Sequence, residues 1–203
     1  MKMNLRKIAL AVALAAGWAT AVHAAVNVGA PAPDFSVTDI QGKARRLSDY
    51  KGKTVVLEWV NPECPIVGKH YHSGNMQKLQ KAAAADGVVW IAINSGRPGA
   101  QGDFDDARAA QWLKEQGGAP AAYVRDSEGK VGKLYGAKTT PHMFVINRDG
   151  ILVYNGAIDS IRSSDPADIP NAENYVAAAL SAVKAGQPVE KATSQPYGCA
   201  VKY

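Results

Sequence analysis

A nearly continuous apolar and β-branched run, TVVLEWV, occupies residues 54–60 and leads directly into NPECP. Such a run is typical of a strand that is buried on both faces at the centre of a sheet. Pro65 favours the first turn of a helix, because the N–H that it lacks would be unpaired there. The sequence therefore predicts that Cys64 lies where a central strand passes into a helix N-terminus.

The remaining segments predict one α/β domain without internal repeats. GVVWIAI and AAYVRD are further strand candidates, and HMFVINRDGILVYNG predicts a hairpin that turns at Asp149 and Gly150. The stretches DDARAAQWLKEQGG and NAENYVAAALSAVKAG predict helices, and a helix after Pro65 is expected to break around HSGN. Early strand–helix–strand crossovers favour parallel pairing, whereas the hairpin is antiparallel. A mixed sheet with helices on both faces is therefore expected.

The first 24 residues have the three parts of a secretory signal peptide. A basic start, MKMNLRK, precedes the apolar core IALAVALAAGWATAV and the small-residue end VHA. We expect cleavage after Ala24 and a periplasmic or secreted protein; an uncleaved anchor is the alternative. The folded domain is then expected to span residues 25–187, and a C-terminal tail residues 188–203. The tail is inferred because the stretch from residue 187 on, QPVEKATSQPYGCAVKY, shows no helical or strand period.

Charge excludes some classes of partner. Without the three cations of the leader, the 23 basic residues fall to 20 against 18 acidic ones, so the net charge is about +2. These charges are scattered, which predicts no nucleic-acid partner and no stable membrane insertion. Export would place both cysteines, Cys64 and Cys199, where disulfides persist.

Two features point to sulfur chemistry at Cys64. Unpaired N–H groups and the helix dipole stabilise a thiolate at a helix N-terminus, and the thiolate is the reactive form. The alternative is an inert, buried cysteine. Thr140 and Pro141 stand directly before an apolar strand in KTTPHMFVI, where a cis peptide bond would bring an extended loop beside Cys64.

At this point the chain resembles the thioredoxin fold, in its alkyl hydroperoxide reductase/thiol-specific antioxidant and periplasmic thioredoxin-like branch. The resemblance covers residues 28 to about 186 and rests on VGAPAPDFSVTDIQGKARRLSDYKGKTVVLEWVNPECP and YGAKTTPHMFVINRDGILVYNGAID. It implies an α/β, thioredoxin-like fold with a mixed central β-sheet. It also implies that Cys64 takes the place of the nucleophilic cysteine and Pro141 that of the cis-proline.

The chain departs from this family pattern at three positions. Val67 replaces the second cysteine of a Cys-x-x-Cys motif, so a local disulfide cannot form. Peroxiredoxins carry a hydroxyl residue three positions before the reactive cysteine and a proline four positions before that; here these are Asn61 and Leu57. The missing hydroxyl argues against efficient peroxide reduction.

Cys199 is the candidate partner of Cys64. Peroxiredoxins of the two-cysteine type use a C-terminal resolving cysteine, and GCAVKY resembles the ending of a thioredoxin-like subgroup with CP-x-V-x-KHY at its active site. The resemblance thus implies a Cys64–Cys199 pair, with catalytic residues Cys64, Cys199 and Pro141. A permanent structural disulfide, an intermolecular disulfide and two free thiols stay open as alternatives.

Five further residues are candidates for tuning the thiol: Thr140, His142, Glu63, Lys69 and His70. A nearby imidazolium would stabilise a thiolate or protonate a leaving thiol; the alternative is that the histidines serve packing. The two cysteines and a histidine are also a conceivable copper or zinc site. Thioredoxin-fold copper chaperones, however, carry a closely spaced cysteine pair that this chain lacks, so no metal and no cofactor are predicted.

The sequence thus predicts an exported thiol-disulfide oxidoreductase or antioxidant redoxin. Its substrates would be a protein or small-molecule disulfide, or a peroxide, and an external thiol would reduce it again. The alternatives are a non-catalytic thioredoxin-fold binding domain held by a structural Cys64–Cys199 disulfide, or a metal chaperone.

Overall fold

The apolar run before Cys64 forms the central strand of a five-stranded sheet. The computed structural model describes residues 26–203, so the expected signal peptide at 1–24 lies outside the described residues. The strands are β1 (Ser36–Thr38), β2 (Ala44–Arg46), β3 (Val55–Trp59), β4 (Val89–Asn94), β5 (Ala122–Arg125), β6 (Thr139–Thr140), β7 (His142–Ile146), β8 (Leu152–Gly156) and β9 (Cys199–Ala200). The α-helices are α1 (Pro65–His72), α2 (Asn75–Ala85), α3 (Asp106–Gln116), α4 (Lys130–Tyr135) and α5 (Tyr175–Lys184), and two 3₁₀ helices span Leu47–Tyr50 and Pro166–Asn171.

The central sheet is mixed, as predicted. Its strand order is β5-β4-β3-β7-β8. Strand β4 pairs in parallel with β3 and with β5, whereas β7 pairs antiparallel with β3 and with β8. The parallel pairs are joined by helical crossovers and the antiparallel pair β7–β8 by the tight turn, which is the division that the sequence predicts.

Strand β3 separates two apolar cores, because its successive side chains point to opposite faces. Val56 belongs to the core that α1, α2, α3 and α5 cover. Leu57 and Trp59 belong to the opposite core, which includes residues of α4 and of the segment before β3. Helices therefore pack on both faces of the sheet, and this confirms the predicted fold class.

The predicted break after the first helix is present between α1 and α2. Gly74 precedes α2 with φ of +77°, a backbone conformation that favours glycine. The break ends α1 after eight residues, and α2 begins at Asn75 as a separate helix.

The C-terminal tail is more ordered than its sequence predicts. Strand β9 pairs antiparallel with β6, so that Thr140 lies opposite Cys199. A strand of two residues is too short to show a hydrophobic period, which explains why the pattern of residues 188–203 did not reveal it. Within residues 26–203 no helix is both long and apolar enough to cross a membrane.

Candidate active site

Cys64 lies at the N-terminus of α1, as the sequence predicts. It is the residue just before the helix, and Pro65 takes the first helical position. Its backbone N–H donates to the Asn61 carbonyl at 3.0 Å, and its own carbonyl accepts the N–H of Gly68 at 2.9 Å. The side chain is only 1% exposed, so the sulfur is held inside the fold.

Two segments from distant parts of the chain meet at the Cys64 sulfur. The Sγ–H donates to the backbone carbonyl of Thr140 at 3.0 Å, and the peptide bond between Thr140 and Pro141 is cis. From the tail, the backbone N–H of Cys199 lies 3.5 Å from Cys64 Sγ. The three predicted catalytic residues, Cys64, Pro141 and Cys199, are thus brought to one place.

Gly198 lets the tail approach this closely. Its φ is +129°, and a Cβ atom at this position would lie 2.0 Å from the carbonyl oxygen of Thr140. Only glycine fits such a position without displacing the backbone. Cys64 and Cys199 are both free thiols in this conformation, and Cys199 is partly exposed.

The two thiols have pKa values that shift in opposite directions. Burial raises the pKa of Cys64, but hydrogen bonds with the Cys199 thiol, with the Thr140 side chain and with the backbone N–H groups of Val67 and Cys199 outweigh it, so the pKa lies below its ordinary value. Burial, followed by the hydrogen bond and charge of Cys64, raises the pKa of Cys199 to about 11. Cys64 is therefore the thiol that ionises first.

The hydrogen bonds of the two candidate histidines are made away from the Cys64 sulfur. His142 accepts the N–H of Lys138 at Nδ1 (3.2 Å) and contacts Asn155 Oδ1 through Nε2 (2.7 Å). His70 Nδ1 lies 2.8 Å from the Asn75 side-chain amide. Burial lowers the pKa of each ring to about 4, so both are neutral near pH 7. Among the described residues, no hydrogen bond joins either ring to Cys64 Sγ.

Lys69 is buried and pairs with a carboxylate. Its ammonium group lies 3.4 Å from Asp159 Oδ2 and donates to the carbonyl of Ile161 at 3.1 Å. The hydroxyl of Tyr197, in the tail, donates to the other oxygen of Asp159. Lys69 therefore contacts the tail region through Asp159, not the sulfur directly.

Glu63 binds the neighbouring loop. Its carboxylate accepts the backbone N–H of Gly102 at 2.7 Å and lies 3.5 Å from the exposed guanidinium of Arg108. The nearby Asn61 side chain accepts the N–H of Glu63 and donates to the Gln101 carbonyl. These contacts hold residues 101–102 against the loop before α1.

Glu58 is a buried carboxylate that sequence reasoning did not single out. It is 0% exposed and accepts hydrogen bonds from Trp90 Nε1 at 2.7 Å, the Tyr71 hydroxyl at 3.1 Å and the Gln80 amide at 3.4 Å. Burial raises the pKa of Glu58 to about 7, against the opposing effect of these donors. A single charged residue inside the apolar run TVVLEWV is the signal that identifies it.

Asp159 and Tyr197 were also missed as functional candidates. Asp159 stands in YNGAID and Tyr197 two residues before Cys199, and neither position carries a local signal of burial. Only the fold brings them together, 38 residues apart in the chain.

A cleft of about 340 Å³ opens beside Cys64. Its walls include Pro62, Gly68, His72, Ser164 and Pro166. Within residues 26–203, no group of three or more His, Cys, Asp and Glu side chains is placed to hold a metal ion.

The fold and this site define a thiol-dependent oxidoreductase with a thioredoxin-like fold. Residues 28–155 match the AhpC/TSA family, and the chain belongs to it. It is 30% identical over 126 residues to thiol-disulfide oxidoreductase ResA of Geobacillus thermodenitrificans. That match covers 62% of this chain and 67% of the relative.

Two solved structures extend the comparison. An uncharacterized conserved protein from Geobacillus kaustophilus is 28% identical with a TM-score of 0.74, and the match covers 87% of this chain and 92% of that one. A putative thiol:disulfide interchange protein DsbE from Chlorobium tepidum is 27% identical with a TM-score of 0.51, covering 64% and 85%. The recognised family and the fold class are thereby confirmed.

Proposed function

We propose that the protein is an exported thiol-disulfide oxidoreductase in which Cys64 is the nucleophile and Cys199 the resolving cysteine. One observation carries the proposal: the backbone N–H of Cys199 lies 3.5 Å from Cys64 Sγ, in a pair of free thiols of which only Cys64 has a lowered pKa. A low pKa supplies the attacking thiolate, and a neighbouring thiol can then complete the exchange.

The proposed reaction has two displacements. The Cys64 thiolate attacks one sulfur of a substrate disulfide, so that a mixed disulfide forms and the other half leaves as a thiolate. Cys199, after losing its proton, attacks the Cys64 sulfur and expels the second half. The substrate gains two electrons, the protein keeps a Cys64–Cys199 bond, and two equivalents of an external thiol restore both free thiols.

The geometry favours a disulfide over a peroxide as the substrate. The position that carries a hydroxyl residue in peroxiredoxins is Asn61, and both ends of its side chain are engaged, with the Glu63 N–H at 2.9 Å and the Gln101 carbonyl at 3.3 Å. The Asn61 amide is thus held by its neighbours, and it supplies no hydroxyl to orient a peroxide. Because Cys64 is 1% exposed, the substrate has to enter the cleft beside it or displace the tail.

The two cysteine variants test these roles. Reduced protein is mixed with glutathione disulfide or, separately, with hydrogen peroxide, and the products are mapped by mass spectrometry. Wild type should form Cys64–Cys199, and Cys199→Ser should accumulate glutathione on Cys64. Cys64→Ser should react at least about 100-fold more slowly, as expected when the activated thiolate is lost. A Cys64→Ser variant that reacts as fast as wild type would overturn the nucleophile assignment.

A redox titration separates this function from a structural disulfide. Catalytic pairs have potentials between about −120 and −270 mV, whereas structural disulfides lie below about −300 mV. We expect the Cys64–Cys199 pair to fall in the catalytic range. A value below −300 mV would favour the binding-domain alternative, in which the bond stays closed.

Export is the third part of the proposal and is supported by residues 1–24, whose basic start, apolar core and small-residue end are typical of a signal peptide. Expression of the full chain in a Gram-negative host should yield periplasmic protein that begins at Ala25. Recovery of the intact N-terminus in the cytoplasmic fraction would contradict it.

A further inference from the structure

A buried charged cluster lies between α1 and the C-terminal tail. The side chains of Lys69 and Asp159 are 0% and 3% exposed, and their charged atoms lie 3.4 Å apart. The Tyr197 hydroxyl donates to the second oxygen of Asp159, and the Tyr197 ring lies 5.9 Å from the Lys69 ammonium group. We call these three residues the tail cluster.

The tail cluster connects the two cysteines by short stretches of chain. Lys69 lies on α1, five residues after Cys64, and Tyr197 precedes Cys199 by two residues. Gly198, the only residue between Tyr197 and Cys199, is pressed against the Thr140 carbonyl. A displacement of the Tyr197 side chain should therefore also displace Cys199.

Stability alone is a poor explanation for this arrangement. A buried ion pair costs desolvation, and well-packed apolar residues often replace such pairs without loss of stability. The Tyr197 ring already belongs to the apolar core that covers α1, so packing does not require its hydroxyl. The hydroxyl adds a directional bond to a charged acceptor, and such bonds fix geometry.

We propose that Tyr197, Asp159 and Lys69 are positioning residues that hold Cys199 against Cys64 and thereby set the equilibrium constant of the disulfide between them. The proposal rests on the redox function proposed above. In the reduced protein the tail cluster keeps the second thiol close to the first, so closing the bond costs little further ordering. Without the cluster the reduced tail moves more freely, and the disulfide, which tethers the tail by itself, becomes less favoured.

The measurement is a glutathione equilibrium. Reduced protein and glutathione disulfide give the Cys64–Cys199 disulfide and two molecules of reduced glutathione, and alkylation followed by mass spectrometry counts each form. We expect Tyr197→Phe to lower the equilibrium constant about tenfold, which raises the potential by about 30 mV. Asp159→Asn should shift it in the same direction.

Tyr175→Phe is the matched control. Tyr175 is also a buried tyrosine near this region, but its hydroxyl contacts Lys191 at 2.6 Å rather than Asp159. We expect Tyr175→Phe to change the equilibrium constant less than about twofold. In the double variant Tyr197→Phe/Asp159→Asn the two effects should be strongly non-additive, because Tyr197→Phe removes the donor of the hydrogen bond and Asp159→Asn removes the negative charge of its acceptor.

The outcomes separate this inference from the function on which it rests. If wild type forms no intramolecular disulfide, the redox function itself fails. If wild type forms the disulfide and Tyr197→Phe melts at a lower temperature with an unchanged equilibrium constant, the tail cluster is only structural and the inference is overturned. A Tyr197→Phe shift no larger than that of Tyr175→Phe overturns it as well.

Discussion

The two cysteines reach the same place by different physical means. Cys64 is fixed by regular structure, because the central strand β3 ends just before it and α1 begins just after it. Cys199 is fixed by a two-residue strand and by contacts of the two residues before it, the Tyr197 hydroxyl bonding to Asp159 and the Gly198 backbone lying against the Thr140 carbonyl. Cys64 is 1% exposed, whereas Cys199 is partly exposed.

The lowered pKa of Cys64 therefore depends on the tail. Part of what lowers the pKa of Cys64 is hydrogen bonding with the thiol and the backbone N–H of Cys199. We call Cys64 with β3 and α1 the rigid half of the site, and Cys199 with its neighbours in the tail the adjustable half. The thiolate form of Cys64, in the rigid half, is therefore stabilised in part by the adjustable half. Substitutions in the tail should therefore change the redox equilibrium at Cys64, a residue more than a hundred positions away.

Gly198→Ala should change the Cys64–Cys199 redox equilibrium most. The added Cβ would meet the Thr140 carbonyl oxygen at 2.0 Å, and φ of +129° is strained for alanine. The tail must shift away from Thr140, and strain of up to about 3 kcal/mol in the docked state predicts a fall of about 100-fold in the Cys64–Cys199 equilibrium constant. Glutathione redox equilibria of the purified variant give this number directly.

Gly186→Ala is the control for Gly198→Ala. Gly186 also has a positive φ, +66°, but nothing lies within 4 Å of the Cβ position. It should lower the free energy of unfolding by about 1 kcal/mol and leave the redox equilibrium unchanged. Equal redox shifts in the two variants would show that backbone strain anywhere, rather than tail displacement, is responsible.

The opposite pKa shifts of the two thiols should relax when either one is removed. Cys199→Ala should raise the pKa of Cys64, because burial still disfavours the thiolate while the Cys199 thiol no longer stabilises it. Cys64→Ala should lower the pKa of Cys199 from about 11 toward 9, because the hydrogen bond and charge of Cys64 disappear. Thiolate absorbance at 240 nm, followed against pH, reports both. Titration curves that match the sum of the two single variants would mean that the thiols do not interact.

The rigid half of the site was predictable from sequence. A β-branched run followed by Cys64 and Pro65 carries its own local signals, a buried strand and a helix start, and these are properties of a few adjacent residues. The place of Pro141 and the partner of Cys64 were inferred from a family resemblance, which the spacing of residues alone does not supply. The fold class and the early parallel pairing followed from the same strand and helix order.

The adjustable half was not predictable in this way. Lys69 and Asp159 are 90 residues apart, and Lys69 lies on a helix beside other basic residues, where a solvated position is the ordinary expectation. Strand β9 is set by its partner β6, not by its own pattern. Contacts of this kind depend on tertiary packing, and no periodicity of the tail reveals them.

The two buried carboxyl groups, Glu58 and Asp159, also differ in their partners. Asp159, near Cys199, has Lys69 as a cation, whereas the donors to Glu58 are neutral and burial raises the pKa of Glu58 to about 7. The folded state therefore keeps this proton between pH about 4.5 and 7 while the unfolded chain loses it. Stability from this group is complete below pH 4.5 and is lost as the pH rises through 7.

Glu58→Gln should remove this pH dependence. The free energy of unfolding of Glu58→Gln minus that of wild type should be higher at pH 8 than at pH 5 by ~2 kcal/mol, because only wild type loses stability over this range. Urea denaturation of the reduced proteins measures both values. The control is Glu190→Gln, an exposed position where no such change is expected. A wild-type and a Glu58→Gln protein whose stabilities differ by the same amount at both pH values would show that Glu58 ionises normally.

Tyr203→Phe should have the smallest effect on the Cys64–Cys199 redox equilibrium. It tests whether Cys199 is positioned by the residues before it in the chain and not by those after it. The Tyr203 hydroxyl donates to the Ala137 carbonyl at 2.8 Å, so its loss should cost about 1 kcal/mol of stability. Between Tyr203 and Cys199, however, the Val201 N–H donates to the Lys138 carbonyl and β9 pairs with β6, and both contacts remain. The redox equilibrium should therefore change less than about twofold, in contrast to Tyr197→Phe on the other side of Cys199. Equal redox shifts from the two tyrosines would mean that the whole tail docks as one unit and that the tail cluster has no special share in placing the sulfur.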